Sequence, residues 1–152
     1  MSDGTVLLVE DNPDDVALTL RAFRKQNLEH RVHVAVDGAE ALDYLFATGK
    51  YADRDPSKLP QVVLLDLNLP KIGGLEVLRR LRGDARTRHL PVVVLTSSLD
   101  ERDMIDSYNL GANSYVRKPV EFEGFVAAAR QLGLYWTVLN ERPEPAGPKP
   151  AA

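Results

Sequence analysis

Val62-Val63-Leu64-Leu65-Asp66-Leu67-Asn68-Leu69-Pro70 sets an unbroken apolar run directly before a carboxylate and ends in a proline that cannot continue a ladder. A short continuous run of β-branched and leucine residues predicts a strand buried on both faces, as in a parallel sheet. Asp66 then sits at the carboxyl end of that strand, the acid best placed to be partly buried at the sheet's edge. Working outward, four further runs follow the same pattern: Val6 to Val9, Val32 to Val36, Val92 to Leu95, and Tyr115 to Val116. Longer segments of helical period separate them. That alternation predicts an α/β chain: a doubly wound five-stranded parallel sheet with helices on both faces, joined by right-handed crossovers.

The helices carry their own signals. Asn12 caps the first, with Pro13 at its first position, Asp14 and Asp15 at the positive end of the dipole, and Val16, Leu20 and Phe23 on one face. The second runs from about Gly38 to Phe46 with Ala41, Leu42 and Leu45 inward, and the third follows Gly73-Gly74 with Leu75, Leu78 and Leu81 at helical spacing. Ser98 and Glu101 form a capping box for the fourth, which Gly111 stops. The fifth spans roughly Glu121 to Leu139. Its inward stripe is Phe122, Phe125, Val126, Ala129, Leu132 and Trp136, while Leu134, Tyr135 and Val138 fall outside the stripe and predict a partner surface, read as a homodimer contact. Residues 1–140 form one domain. Pro143, Pro145, Pro148 and Pro150 make residues 141–152 a Pro/Ala-rich tail, disordered or extended, with no room for an output domain.

Composition narrows the function classes. The chain has 152 residues, 44% hydrophobic and 27% charged, with no cysteine, so one soluble globular domain without a disulfide framework or thiolate metal site is expected. The opening Met-Ser-Asp-Gly-Thr has neither a basic nor an apolar signal region, and no stretch reaches the roughly 20 apolar residues of a membrane span, so a cytoplasmic location is expected. A net charge of -3 argues against general attraction to nucleic acid.

Ligands of such sheets bind beyond the carboxyl ends of the strands, where strand order reverses. The residues there are Glu10 and Asp11 after the first strand, Asp66 and Asn68 after the third, Thr96 after the fourth and Lys118 with Pro119 after the fifth. Three neighbouring carboxylates repel one another unless a divalent cation with oxygen ligands lies among them, which makes a Mg²⁺ (or Mn²⁺) site the expectation. A carboxylate such as Asp66 can attack phosphorus to give an acyl phosphate. Lys118 and the cation would then neutralise the transferring oxygens, and the Thr96 hydroxyl would donate to one of them.

The ordered segments Leu7-Leu8-Val9-Glu10-Asp11-Asn12, Leu64-Leu65-Asp66-Leu67-Asn68-Leu69-Pro70, Val94-Leu95-Thr96-Ser97 and Tyr115-Val116-Arg117-Lys118-Pro119 resemble the signature of two-component response-regulator receiver domains. The resemblance covers roughly residues 5 to 139 and implies the flavodoxin-like receiver fold. It implies Asp66 as phosphoacceptor, Glu10 and Asp11 as metal-side acids, Asn68 as a metal ligand through its backbone carbonyl, Thr96 and Tyr115 as a switch pair, Lys118 as the phosphoryl-binding cation, and a cis peptide between Lys118 and Pro119. Glu10 stands where an aspartate is more frequent. Asn12-Pro13-Asp14-Asp15, the long Gly49 to Pro60 segment, and Ser107-Tyr108 through Asn113-Ser114-Tyr115 further resemble the small response regulators that partner bacterial and cyanobacterial phytochromes. That implies a phytochrome-type sensor histidine kinase as phosphoryl donor, no DNA-binding effector, and a signalling protein rather than a turnover enzyme.

Two other classes are weighed. A haloacid-dehalogenase-type phosphatase needs a second acid two residues after the nucleophile, and here that residue is Asn68, which cannot protonate a leaving group. An interaction module that is never phosphorylated has no need for this whole polar set. Arg79, Arg80, Arg82, Arg86 and Arg88 read as a solvated basic face, and His30, His33 and His89 as surface residues without metal-ligand spacing. No Gly-x-x-x-x-Gly-Lys loop is present, so the donor must be a separate phosphohistidine or a small acyl phosphate.

Overall fold

The computed structural model describes residues 4–118 and, beyond them, 123, 124, 127, 128, 130 and 131, which are helical. The elements are β1 (Val6–Val9), α1 (Pro13–Arg24), β2 (Val32–Ala35), α2 (Gly38–Phe46), β3 (Val62–Leu65), α3 (Gly74–Gly83), β4 (Val92–Thr96), α4 (Glu101–Asn109) and β5 (Ser114–Arg117). The strands form one parallel sheet in the order β2-β1-β3-β4-β5. The five expected strands are all present, with ends shifted by one residue at β2, β4 and β5.

Side chains alternate across the sheet and build two cores. On one face Leu7, Val9, Val63, Leu65, Val92 and Val94 pack with Ala41, Leu42 and Leu45 of α2 and Val77, Leu78 and Leu81 of α3. On the other, Val6, Leu8, Val62, Leu64 and Val93 pack with Phe23 of α1. β1, β3 and β4 are buried along their whole length, which is why they read as continuous apolar runs.

Helix starts follow the capping chemistry, with one correction. Asn12 Oδ1 accepts from the N–H groups of Asp14 and Asp15, and Asp37 Oδ1 accepts from Glu40 at the start of α2. At α4 the cap is Asp100, whose carboxylate accepts from the Arg102 N–H at 2.9 Å, and not Ser98. Ser98 is held outside the helix because its N–H donates to Thr96 Oγ1 and its hydroxyl to Asp103 Oδ2. Gly111 takes φ +101° just past that helix, as expected of the residue that stops it.

Two groups of polar residues also depart from the sequence reading. Arg79 and Arg80 do form a solvated face, paired with Glu76, but Arg82 turns inward and donates to the carbonyls of Gly111, Thr87 and Leu90 and to Asn113 Oδ1. His30 and His89 are exposed, whereas His33 stacks on Tyr44 at 4.3 Å and contacts Tyr51 Oη at 3.0 Å. The segment from Gly49 to Pro60 is pinned there by Tyr51, by Arg54 over the Tyr44 ring and by buried Leu59. Pro119 with its expected cis peptide, the expected apolar stripe and outer residues of the fifth helix, and the tail lie outside the described residues.

α3 begins against the backbone of Asp66. A Cβ on Gly74 would stand 2.4 Å from the Asp66 carbonyl oxygen and 2.7 Å from Leu67 Cα, both backbone atoms that cannot swing away. A Cβ on Gly83, at the far end of the same helix, meets nothing within 4 Å. Gly74→Ala should therefore lower stability by about 1–3 kcal/mol, and Gly83→Ala should leave it unchanged or raise it by up to about 1 kcal/mol; urea unfolding midpoints of the two variants measure the contrast.

Candidate functional site

Strand order reverses between β1 and β3, because the chain leaves β1 for β2 at one edge and returns to pair β3 on β1's other side. The register pairs Val9 with Leu65, so the next residues, Glu10 and Asp66, emerge side by side. Each is held by the ladder: the Asp66 N–H donates to the Val9 carbonyl at 3.1 Å and the Glu10 N–H to the Ala35 carbonyl at 3.0 Å. Glu10 and Asp66 are buried and Asp11 is exposed, yet one carboxylate oxygen from each lies within 4.8 Å of the other two.

Lys118 closes the group from the far side of the sheet. Its N–H pairs with the Thr96 carbonyl at 2.9 Å, continuing the β4–β5 ladder past Arg117, and its side chain is 7% exposed. The ammonium contacts Glu10 Oε2, Asp15 Oδ2 at 2.9 Å and Asp66 Oδ2 at 3.2 Å. Burial works against its charge, but hydrogen bonds to Glu10 and Asp15 and the charge of Asp66 outweigh that and raise the lysine's pKa. Glu10 moves the other way from a typical paired acid. Burial pushes it up from 4.5 to about 7, with the charge of Asp66 adding to the rise, against the opposing hydrogen bonds from Lys118 and the Asn12 N–H.

Of the remaining expected residues, Asn68 alone is bonded to a side chain of this centre among the described residues. The Asn68 N–H donates to Asp66 Oδ1 at 3.3 Å. The loop from Asp66 to α3 turns at Lys71 (φ 65°), whose ammonium reaches Asp37 at 3.4 Å and ties the loop to the cap of α2. Thr96 is wholly buried and its Oγ1 accepts from the Ser98 N–H. Tyr115 packs against the α2–α3 side core; its hydroxyl is enclosed and makes no hydrogen bond among the described residues, and burial raises its pKa.

Sequence reasoning missed one member. Asp15 was assigned only to the helix dipole, yet its carboxylate holds Lys118. The signal was available in the spacing: the helix begins at Pro13, directly after the strand end, so an acid two residues into it lies on the first turn, beside the residues that follow β1.

The donor set suits a hard divalent cation. It consists of carboxylate oxygens alone, clustered within one coordination sphere's reach and carrying more negative charge than Lys118 balances. An acidic pocket with a buried lysine, at the switch point of a doubly wound parallel sheet, defines a class of α/β protein suited to binding a cation and a phosphate-like group there. The chain belongs to the response regulator receiver domain family, whose model matches residues 6–130.

Individual relatives narrow the company. The chain is 34% identical over 131 residues to the response regulator Rcp1 of Synechocystis sp., covering 86% of this chain and 87% of Rcp1. The Mn²⁺-bound crystal structure of Rcp1 superposes with a TM-score of 0.83 at 32% identity, covering 91% of this chain and 98% of that one. The phosphorylated cyanobacterial phytochrome response regulator RcpA gives a TM-score of 0.84 at 35% identity over 91% of this chain and 97% of its own. The bacteriophytochrome response regulator AtBRR is 55% identical, with a TM-score of 0.70, over 90% of this chain and 97% of its own. The protein is thus a receiver-domain response regulator of two-component signalling, close to those of phytochrome systems. Among the described residues no helix is long and apolar enough to cross a membrane.

The raised Glu10 pKa has a thermodynamic consequence. Folded Glu10 holds its proton up to about pH 7, whereas unfolded it releases it near 4.5, so the folded chain binds more protons in between. In chelator, stability should fall as pH rises through that window. Chemical unfolding across the window should show a smaller fall for Glu10→Gln than for wild type.

Proposed function

We propose that Asp66 is the phosphoacceptor of a phosphorelay and that this chain acts as a single-domain switch. The observation that carries the reading is the Lys118 ammonium, buried and bonded to both Asp66 and Glu10 where three carboxylates converge. In the transfer, an Asp66 carboxylate oxygen forms a bond to phosphorus while the nitrogen–phosphorus bond of a phosphohistidine donor breaks. The electron pair of that bond stays on the imidazole nitrogen. Lys118 and the Thr96 hydroxyl donate to phosphoryl oxygens, and the apolar walls of β1 and β3 keep Asp66 short of water. Glu10, Asp11, Asp66 and the Asn68 carbonyl would hold Mg²⁺ or Mn²⁺, which supplies charge neutralisation to the phosphoryl oxygens. The Mn²⁺-bound and phosphorylated relatives support both parts of this reading.

The donor we assign is a sensor histidine kinase of phytochrome type, on the likeness to RcpA and AtBRR. The chain itself is a cytoplasmic signalling protein and performs no turnover on an external substrate. A phosphoryl group adds about -1.5 to -2 charges and three acceptor oxygens. Each charge-assisted hydrogen bond it recruits is worth about 1.5–3 kcal/mol, and reversing a 1:99 population needs about 5.5 kcal/mol, so Thr96 and Lys118 together come close to the requirement. Movement of Thr96 toward the phosphoryl group would free the Ser98 N–H that it now accepts from and loosen the β4–α4 loop, with Tyr115 as its switch partner. Leu134, Tyr135 and Val138 would join two copies through the fifth helix.

One preparation tests these points. Incubation with acetyl phosphate and Mg²⁺ should add a single hydroxylamine-labile phosphoryl group by intact mass, absent from Asp66→Asn and from metal-free samples; no gain in wild type would leave an unphosphorylated interaction module. In the charged sample amide exchange should change across residues 97–110 and at Tyr115, and sedimentation should give a dimer at micromolar concentration. Unchanged exchange would remove the proposed switch, and a monomer the proposed helix contact.

A further inference from the structure

We propose that Asp15 is the resting partner of Lys118 which a phosphoryl oxygen displaces, so that this carboxylate competes with the phosphoryl group for the lysine; the inference rests on the phosphoacceptor reading above. An ammonium has three N–H donors. Three carboxylates meet them: Glu10, Asp15 at 2.9 Å and Asp66 at 3.2 Å. No donor is left over, so an arriving phosphoryl oxygen must break one of these bonds.

Burial and position decide which. The side chains of Glu10 and Asp66 are 3% and 8% exposed, so losing the lysine would leave each carboxyl group short of a hydrogen-bond partner with little water to replace it. Asp15 is 27% exposed and can be solvated when released. The phosphoryl group comes from solvent and ends on Asp66, so the lysine must remain beside Asp66 and take the new oxygen on its outer side, where the most exposed acceptor stands. A carboxylate oxygen at 2.9 Å is also a close stand-in for a phosphoryl oxygen, being an anionic acceptor at charge-assisted distance.

The local fold keeps Asp15 in this place. Its N–H donates to the Asn12 cap at 3.3 Å and its carbonyl accepts from the Thr19 hydroxyl at 2.8 Å, so the backbone is held on both sides of the residue. Asp14, one residue earlier, is exposed, and its charge is not aimed at Lys118 by any bond. The pair therefore separates a specific exchange from a general effect of negative charge near the site.

Binding of beryllium trifluoride, a phosphoryl mimic, at saturating Mg²⁺ tests the exchange, followed by ¹⁹F NMR on the full chain. Replacing a charge-assisted bond by a neutral one should let Asp15→Asn bind about five-fold more tightly than wild type. Asp15→Glu, which keeps the charge, should stay near wild type, and Asp14→Asn should shift binding by about two-fold or less, as expected for a screened surface charge. Unchanged or weaker binding in Asp15→Asn overturns the proposal, and so does an equal gain in Asp14→Asn. Absence of binding in wild type would instead sink the phosphoacceptor reading, and this inference with it.

Discussion

The ammonium of Lys118 is bonded to carboxylates from the residues that follow β1 and β3 and from the first turn of α1. In water such contacts would be worth little, since exposed ion pairs contribute at most about 1 kcal/mol. Here the lysine and two of its partners are nearly excluded from solvent, and breaking a buried pair by deleting one member costs about 3–5 kcal/mol. The sheet order, the start of α1 and the close seat of α3 all serve to bring these charges together. The group remains too negative for one lysine, and that imbalance suits the site to a divalent cation rather than to stability.

Backbone packing sets the precision of the arrangement. Asp66 is gripped by the β1 ladder on its N–H side, while the start of α3 comes so near its carbonyl that position 74 has no room for a Cβ. Its loop is tethered through Lys71 to the cap of α2. A carboxylate held this way cannot drift without moving strands, whereas Thr96 meets the β4–α4 loop through one 3.3 Å bond from the Ser98 N–H.

Away from the site, two polar groups hold the frame. Arg82 spans the end of α3, the approach to β4 and the turn after α4 by donating to the carbonyls of Thr87, Leu90 and Gly111. His33 of β2 stacks on Tyr44 and Tyr51 meets both rings edge-on, with Glu40 accepting from Tyr51 and from the Val36 N–H. This cluster gives the Gly49 to Pro60 segment a fixed base, which explains how so long a connection is tolerated before β3.

Much of this was legible from residue order alone. Continuous apolar runs marked β1, β3 and β4 because strands buried on both faces need no polar alternation, and an acid at the end of such a run could only lie at the sheet's rim. A cap with short-range chemistry, such as Asn12, acts within three residues and is accessible to sequence. The competition that made Asp100 rather than Ser98 the cap of α4 was not, because it turned on Thr96 and Asp103 holding Ser98 elsewhere. Arg82 looked like its exposed neighbours, since nothing local says that a helix end will face two loops. Asp15 looked like a dipole residue for the same reason: its partner is Lys118, more than one hundred positions away. Sequence by itself determined the strand–helix alternation and the chemical types at the strand ends, because these follow from burial and from bonds between near neighbours. Only the tertiary structure decided which charges share one lysine, because that depends on strand order and on distances between residues that the chain alone leaves far apart.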